Sequence, residues 1–337
     1  MSAVPTIPGD DTLLDCLIIG AGPGGLTAAT YLARFHRRIL VVDAGSSRAR
    51  WIPTSHNCPG FPSGVHGTTL LERLRDQATG YGAPIVEATV ARLEREDDGF
   101  HATSGDGQHW HARHVILATG IVDRMPALEG LSAAIDEGAV RLCAVCDAYE
   151  ASDERIAVYG PIDEAIGHAL FLLTFSRDVH VVPETSRRAD ADRLRRAQDA
   201  DITVHPPAES MAYDGECTVV EFDGVPPQRF ATLYPTLGGE AQAGLAHALG
   251  ARCDDNGELI VDEHQRTSVD GLYAVGDVVS ALNQIAVAVG HAAIAATDVH
   301  NRLPRNFREH RETQPETAPD LPSPASAPTP PETHARH

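Results

Sequence analysis

Cys143 and Cys146 stand two residues apart in the stretch RLCAVCDAYE (141–150), with Asp147 directly after the second sulfur. Thiols at this spacing can ligate a metal, lock a loop or move electrons. Structural zinc needs four ligands, usually a second CxxC or CxxH pair at ordered spacing. The chain has neither, and His56, His66 and His168 are scattered along it. A structural disulfide here would close a tiny loop and constrain the unfolded chain little. Redox exchange suits the spacing, because two thiols on one turn can close a disulfide and a CxxC environment lowers a cysteine pKa toward neutrality.

A second pattern sits near the N-terminus. Gly20, Gly22 and Gly25 in GAGPGG (20–25) fit GxGxxG, with Pro23 and Gly24 between them. In such a loop the first glycine permits the tight turn, the second lets the backbone approach a pyrophosphate, and the third lets helix and strand pack closely. The following helix turns its N-terminal N–H groups and dipole toward the phosphates. A lone GxGxxG is a weak signal, and a structural Gly-rich turn is its bland alternative. Here the pattern lies between an apolar strand, LDCLIIG, and a helical run, LTAATYLARFH, which is the context it requires. Asp43 ends the next apolar run, 23 residues after Gly20. That is near the distance at which a carboxylate accepts the ribose hydroxyls.

These residues need elements to hold them. Residues 14–44 read strand–turn–helix–strand, and HVILATG (114–120) reads as a further buried strand ending in a turn. RIAVYG (155–160) opens a second strand–helix–strand unit that runs through DEAIGHALFLLTF and DVHVVPE. GLYAVGD (271–277) reads as a late strand before an Ala-rich helix at 286–303. The expected fold is α/β, with two Rossmann-like dinucleotide-binding domains, the second inserted into the first. Two features favour FAD in the first domain: Ala118-Thr119-Gly120 after an apolar strand, and Gly276-Asp277 before the last helix. A carboxylate at Asp277 can hold a ribityl hydroxyl.

The order GAGPGG, ATG, CxxCD and GD resembles the low-molecular-weight thioredoxin reductases and their flavoprotein relatives over residues 14–303. The resemblance implies a first FAD segment at 1–121, and an inserted NAD(P)H-domain-like unit carrying the CxxC at 122–236. A second FAD segment follows at 237–304, and homodimers are usual. It implies FAD contacts from the glycine loop, Asp43, Ala44, Asn57, Val90, 118–120, Gly276, Asp277, Gln284, Ile285 and Ala286. It makes Cys146 the sulfur facing the flavin, Cys143 the interchange thiol and Asp147 the acid/base. Reductases of this type carry Gly after that Asp. Here Ala148-Tyr149-Glu150 follows, and Tyr-Glu also occurs in dithiol oxidases of the gliotoxin and holomycin pathways, which carry His in place of Asp147.

The nicotinamide loop departs from the pattern. Where the reductases have GxGxxA, this chain reads Gly160-Pro161-Ile162-Asp163-Glu164-Ala165. Ile162 puts a branched side chain where phosphate approaches. Pro161 removes an N–H from the anion cradle, and Glu164 adds negative charge. Pro183-Glu184-Thr185 stands where NADPH enzymes carry His-Arg-Arg, with Arg187 and Arg188 just beyond. NAD(P)H is therefore a doubtful cofactor. The expected partner is a dithiol or disulfide, either a small protein such as thioredoxin or a small molecule. Ferredoxin or another non-nicotinamide donor is an alternative source of electrons. A small-molecule dithiol oxidase using oxygen is the alternative enzyme, and a redox-quiet flavin-binding interaction protein is the alternative of another class.

Composition bounds these readings. The 337 residues suffice for two domains, and a net charge of −20 argues against nucleic acid and anionic membrane surfaces. No basic n-region precedes the first apolar run and no apolar stretch reaches about 18 residues, so neither a signal peptide nor a transmembrane span is expected. A cytoplasmic setting follows as the expectation. Cys16, Cys58, Cys217 and Cys253 read as small packed residues. Residues 305–337 hold seven of the 23 prolines and read as a disordered tail.

Overall fold

The computed structural model describes residues 12–279 and 282–307. The expected tail lies outside the described residues from 308 onward. Its first structured unit runs as the apolar pattern dictates. Strand β1 (Leu13–Ile19) is buried along its second half, and α1 (Pro23–Arg34) starts on a proline whose missing N–H has no partner to lose at that position. Strand β2 (Ile39–Asp43), helix α2 (Gly67–Gly80) and strand β3 (Ile85–Glu87) follow, then the meander β4 (Val90–Glu96), β5 (Gly99–Ser104) and β6 (His109–Leu117).

Strand β1 lies between β2 and β6, parallel to both, with Ile19 level with Val42 and with Leu117. Gly20, Asp43 and Ala118 therefore emerge together at the carboxyl ends of three neighbouring strands, where open α/β sheets bind ligands.

The inserted unit begins after β6. Strand β7 (Ile121–Asp123) leads out, and helices α3 (Leu131–Asp136) and α4 (Ala144–Asp147) precede β8 (Ile156–Gly160). Helix α5 (Ile162–Leu172), strand β9 (Val179–Pro183), helix α6 (Ala191–Asp199) and strand β10 (Thr203–Val204) complete a second α/β layer. The antiparallel strands β11 (Ala208–Tyr213), β12 (Thr218–Phe222) and β13 (Val225–Phe230) follow, and β14 (Thr232–Pro235) returns to the parallel sheet in the order β10-β9-β8-β14. Its core joins Ile156, Val158, Ile166, Val181 and Tyr234.

Strand β15 (Gly239–Ala241) then pairs antiparallel with β7, making a two-stranded ribbon through which the chain leaves and re-enters the first unit. Helix α7 (Gly244–Ala248) follows, and β16 (Leu272–Ala274) docks on the end of β6, with Tyr273 level with Ile116. Among the described residues the first sheet thus has seven strands, six contributed before the insertion and one after it. Helix α8 (Ile285–Arg302) packs on α1, where Ala292, Ala295 and Ala296 meet Leu26 and Ala29 in one buried cluster. Burying each leucine there contributes roughly 1.5–3 kcal/mol.

Candidate active site

The carboxyl ends of β1, β2 and β6 open onto a cavity of about 750 Å³. It runs from the glycine loop, past Val90 and Thr119, to Asp277 and Gln284, and ends at Cys143, Cys146 and Asp147. Of the site residues expected from sequence, Gly25 and Ala286 do not line it. Gly25 sits where α1 crosses β1, and a Cβ there would collide with the carbonyl oxygen of Gly20. Ala286 lies exposed in the first turn of α8. Gly20, Gly22, Pro23, Gly24, Asp43, Ala44, Asn57, Val90, Ala118, Thr119, Gly120, Gly276, Asp277, Gln284 and Ile285 all line the cleft.

Asp43 is held at the end of β2. Its Oδ1 accepts the Ala21 N–H at 3.2 Å, and its Oδ2 accepts from Arg75 Nη2 at 2.8 Å. Further along, Arg48 spans two carboxylates. Its Nε and Nη2 donate to Asp123 at 2.6 and 3.0 Å, and Nη1 reaches Asp277 Oδ2 at 3.3 Å. Burial pushes the Asp277 carboxyl above its usual range, while the nearby guanidinium pulls it down.

Cys143 and Cys146 form a disulfide at the start of α4. The backbone N–H groups of Cys146 and Asp147 both bond to the Cys143 carbonyl, which closes the turn that brings the sulfurs together. Gln284, the residue before α8, points its Nε2 at both sulfurs, 3.4 Å from Cys143 and 3.3 Å from Cys146. Its Oε1 accepts from Asn57 Nδ2 at 2.9 Å, and Asn57 Oδ1 accepts from Ser55 Oγ at 3.1 Å. Three segments far apart in sequence therefore meet at the disulfide.

Asp147 follows Cys146 and lines the same cleft. Its Oδ1 accepts from the hydroxyl of the buried Tyr234 at 3.1 Å, and Oδ2 lies 3.7 Å from Arg141 Nη1. Burial dominates and raises its pKa to about 6, against the opposing pull of Arg141 and Tyr234. A carboxyl poised there can hold or release a proton near neutral pH.

The cleft has the shape and chemistry for FAD. A Cβ on Gly22 would stand 3.4 Å from Ser47 Oγ, narrowing the cradle beside the N-terminus of α1. Among the described residues, buried polar atoms of the lining find no partner at Asn283 Oδ1, Glu150 Oε2 and Arg141 Nε. Such atoms call for a polar ligand. The disulfide shares this one cavity with the glycine loop.

Cys58 does not line the cleft. Cys58 is packed with Val65 and Leu70, and burial pushes its thiol up, as a small core residue would show. Burial pushes the His291 imidazole below its usual range, with Asp277 pulling the other way, and among the described residues its Nδ1 finds no partner. Trp51 and His56 do line the cleft. Sequence reading missed Arg48, Asp123, Arg141 and Tyr234. Arg141, two residues before Cys143, was within reach of a local search; Tyr234, on β14, carried no local signal.

Two nucleotide-type folds, one inserted in the other and sharing a cleft with a redox-ready disulfide, define a flavin-dependent disulfide oxidoreductase. The pyridine nucleotide-disulphide oxidoreductase family model matches residues 14–292, and the chain belongs to that family. FAD is its cofactor. The chain is 28% identical over 322 residues to a thioredoxin reductase of Peptoclostridium acidaminophilum, covering 89% of this chain and 100% of that protein. It is 30% identical over 303 residues to the thioredoxin reductase of Treponema pallidum (strain Nichols), covering 85% and 96%. Thioredoxin reductase from Streptococcus pyogenes MGAS5005 superposes with a TM-score of 0.79 at 27% identity, over 86% of this chain and 97% of that one.

Proposed function

We propose that the chain passes electrons between FAD and the Cys143–Cys146 pair, and from there to or from an external dithiol or disulfide, without using NADPH in the usual way. The observation that carries this is the single cleft lined both by the glycine loop and by the two sulfurs. When bound, FAD would be held by the glycine loop and Asp43 and would supply or accept two electrons. The remaining steps belong to the chain. A substrate thiolate attacks Cys143 Sγ, the S–S bond breaks, and Cys146 leaves as thiolate. The second substrate thiol then displaces Cys143, the substrate departs as its disulfide, and Cys143 leaves as a thiolate that takes a proton. Asp147, next to Cys146 and poised near pH 6, exchanges the proton.

The doubt about nicotinamide rests on the loop after β8. Pro161 is the cap of α5, and Ile162 opens the helix with its side chain packed against the second core. Asp163 and Glu164 fill the first turn with acid. Asp163 Oδ1 accepts the Asp190 N–H at 2.8 Å, and its carbonyl accepts from Arg193 at 2.9 Å. Acid at a helix N-terminus takes the place of the anion such ends otherwise attract. Arg187 and Arg188 are exposed.

Cytoplasmic residence, a homodimer, a split at 122–236 for the inserted unit and the role of each cleft residue belong to the same proposal. Among the described residues no helix is long and apolar enough to cross a membrane. An anaerobic donor screen followed near 450 nm tests the reading. Dithiols are expected to bleach the flavin, and NADPH or NADH is not. Peroxide formed in air marks a dithiol oxidase, and bleaching by reduced ferredoxin marks a protein donor. Rapid bleaching by NADPH overturns the reading of Ile162 and Glu164, and silence toward every donor leaves a redox-quiet binding protein.

A further inference from the structure

The Cys143–Cys146 pair meets one side-chain amide, that of Gln284. Its nitrogen lies 3.3 and 3.4 Å from the two sulfurs, while its oxygen is 3.7 Å from Cys146 Sγ. Disulfide sulfurs carry no hydrogen, so they can only accept, and the N–H end is the one that suits them. The oxygen end is engaged by Asn57 Nδ2 at 2.9 Å. Asn57 is itself hydrogen-bonded to Ser55, which is 4% exposed and bridged through its backbone to Val65. The amide is thus held from behind, with its donors turned to the sulfurs before any reduction takes place.

We infer that Gln284, positioned by Asn57, is the hydrogen-bond donor that stabilises the thiolate formed when the Cys143–Cys146 bond is reduced. The inference deepens the redox reading above and rests on it. An external dithiol supplies two electrons and two protons. The S–S bond breaks, the dithiol becomes a disulfide, one cysteine keeps a proton as thiol, and the other is left as thiolate with the second proton released. An N–H donor gains strength when its acceptor becomes an anion. The contact therefore favours the thiolate over the thiol and lowers the cysteine pKa. His56, Arg141, Asp147 and Glu150 line the same cleft, but among the described residues the side-chain N–H donors to these sulfurs belong to Gln284.

The test uses the FAD-loaded full chain, reduced with tris(carboxyethyl)phosphine, and follows the rate of alkylation by iodoacetamide against pH. Wild type, Gln284→Leu, Gln284→Glu and Asn57→Ala are compared, with flavin absorbance confirming that each stays loaded. Gln284→Leu is expected to raise the apparent thiol pKa by about one unit, which slows alkylation roughly tenfold on the acid side of the profile. Gln284→Glu should raise it further by like-charge repulsion, and Asn57→Ala should shift it in the same direction by less. A Gln284→Leu profile that overlays wild type in a flavin-loaded protein overturns the inference and leaves Gln284 a packing residue. A wild-type disulfide that resists the phosphine defeats the redox reading itself, which separates the two failures.

Discussion

Arg48 Nε stands 2.6 Å from Asp123 Oδ2, while the same guanidinium reaches Asp277 Oδ2 at 3.3 Å. Asp123 belongs to β7, one half of the ribbon through which the inserted unit is attached, and Asp277 follows β16 in the first unit. One cation therefore fastens the flavin cleft to the linker. All three side chains are a quarter exposed or less. Arg48→Met leaves two carboxylates close together without their shared partner. It is expected to destabilise the fold by about 1–3 kcal/mol, below the range for a fully buried pair. Urea unfolding, with flavin retention measured after gel filtration, checks both effects.

Asp147 imposes a pH-dependent cost. Burial raises its folded pKa to about 6, above the ordinary carboxyl value. The folded state therefore holds the proton more tightly than the unfolded state. The resulting stabilisation is fully present below about pH 4 and is lost as pH rises to 6 and just beyond. Asp147→Asn removes the charge and keeps an acceptor for Tyr234. The variant is expected to gain roughly 2 kcal/mol relative to wild type at pH 8 and little at pH 4. Urea curves at the two pH values decide it. The same variant should slow dithiol exchange about a hundredfold, because the proton acceptor is gone.

Tyr234 donates to Asp147 from a side chain only 2% exposed. That bond favours the ionised carboxylate. Tyr234→Phe should move the pH midpoint of disulfide reduction upward by about half a unit and cost roughly 1 kcal/mol of stability. An unshifted pH–rate profile with lowered stability alone would show that the tyrosine only packs.

Gly25 and Gly22 should separate folding from binding. Gly25→Ala drives a methyl into the Gly20 carbonyl and is expected to lose both the flavin and the cooperative thermal transition. Gly22→Ala meets only Ser47 Oγ at 3.4 Å, so the fold should persist with weakened FAD retention. Circular dichroism melts beside flavin absorbance distinguish the two.

Legibility varied with how local each feature is. The β1–α1–β2 unit was readable because continuous apolar runs bounded by glycines announce buried strands. Strand β4, VARLERE, buries little beyond Val90 and Leu93. Strand β13, VPPQRF, carries two prolines that argue against a strand and is mostly exposed. Neither signalled itself. The turn that joins Cys143 to Cys146 was readable because four consecutive residues suffice to define it.

Residue type and spacing alone determined the glycine loop, the cysteine pair and the acidic turn that opens α5, since each depends on backbone freedom or side-chain chemistry within a few positions. Only the folded chain decided that Asn57 and Gln284, 227 residues apart, share a hydrogen bond, and that Tyr234 reaches Asp147 across 87 residues. Such contacts arise where separate strands and helices converge, and no local pattern encodes the distance between elements that meet only after the core has formed.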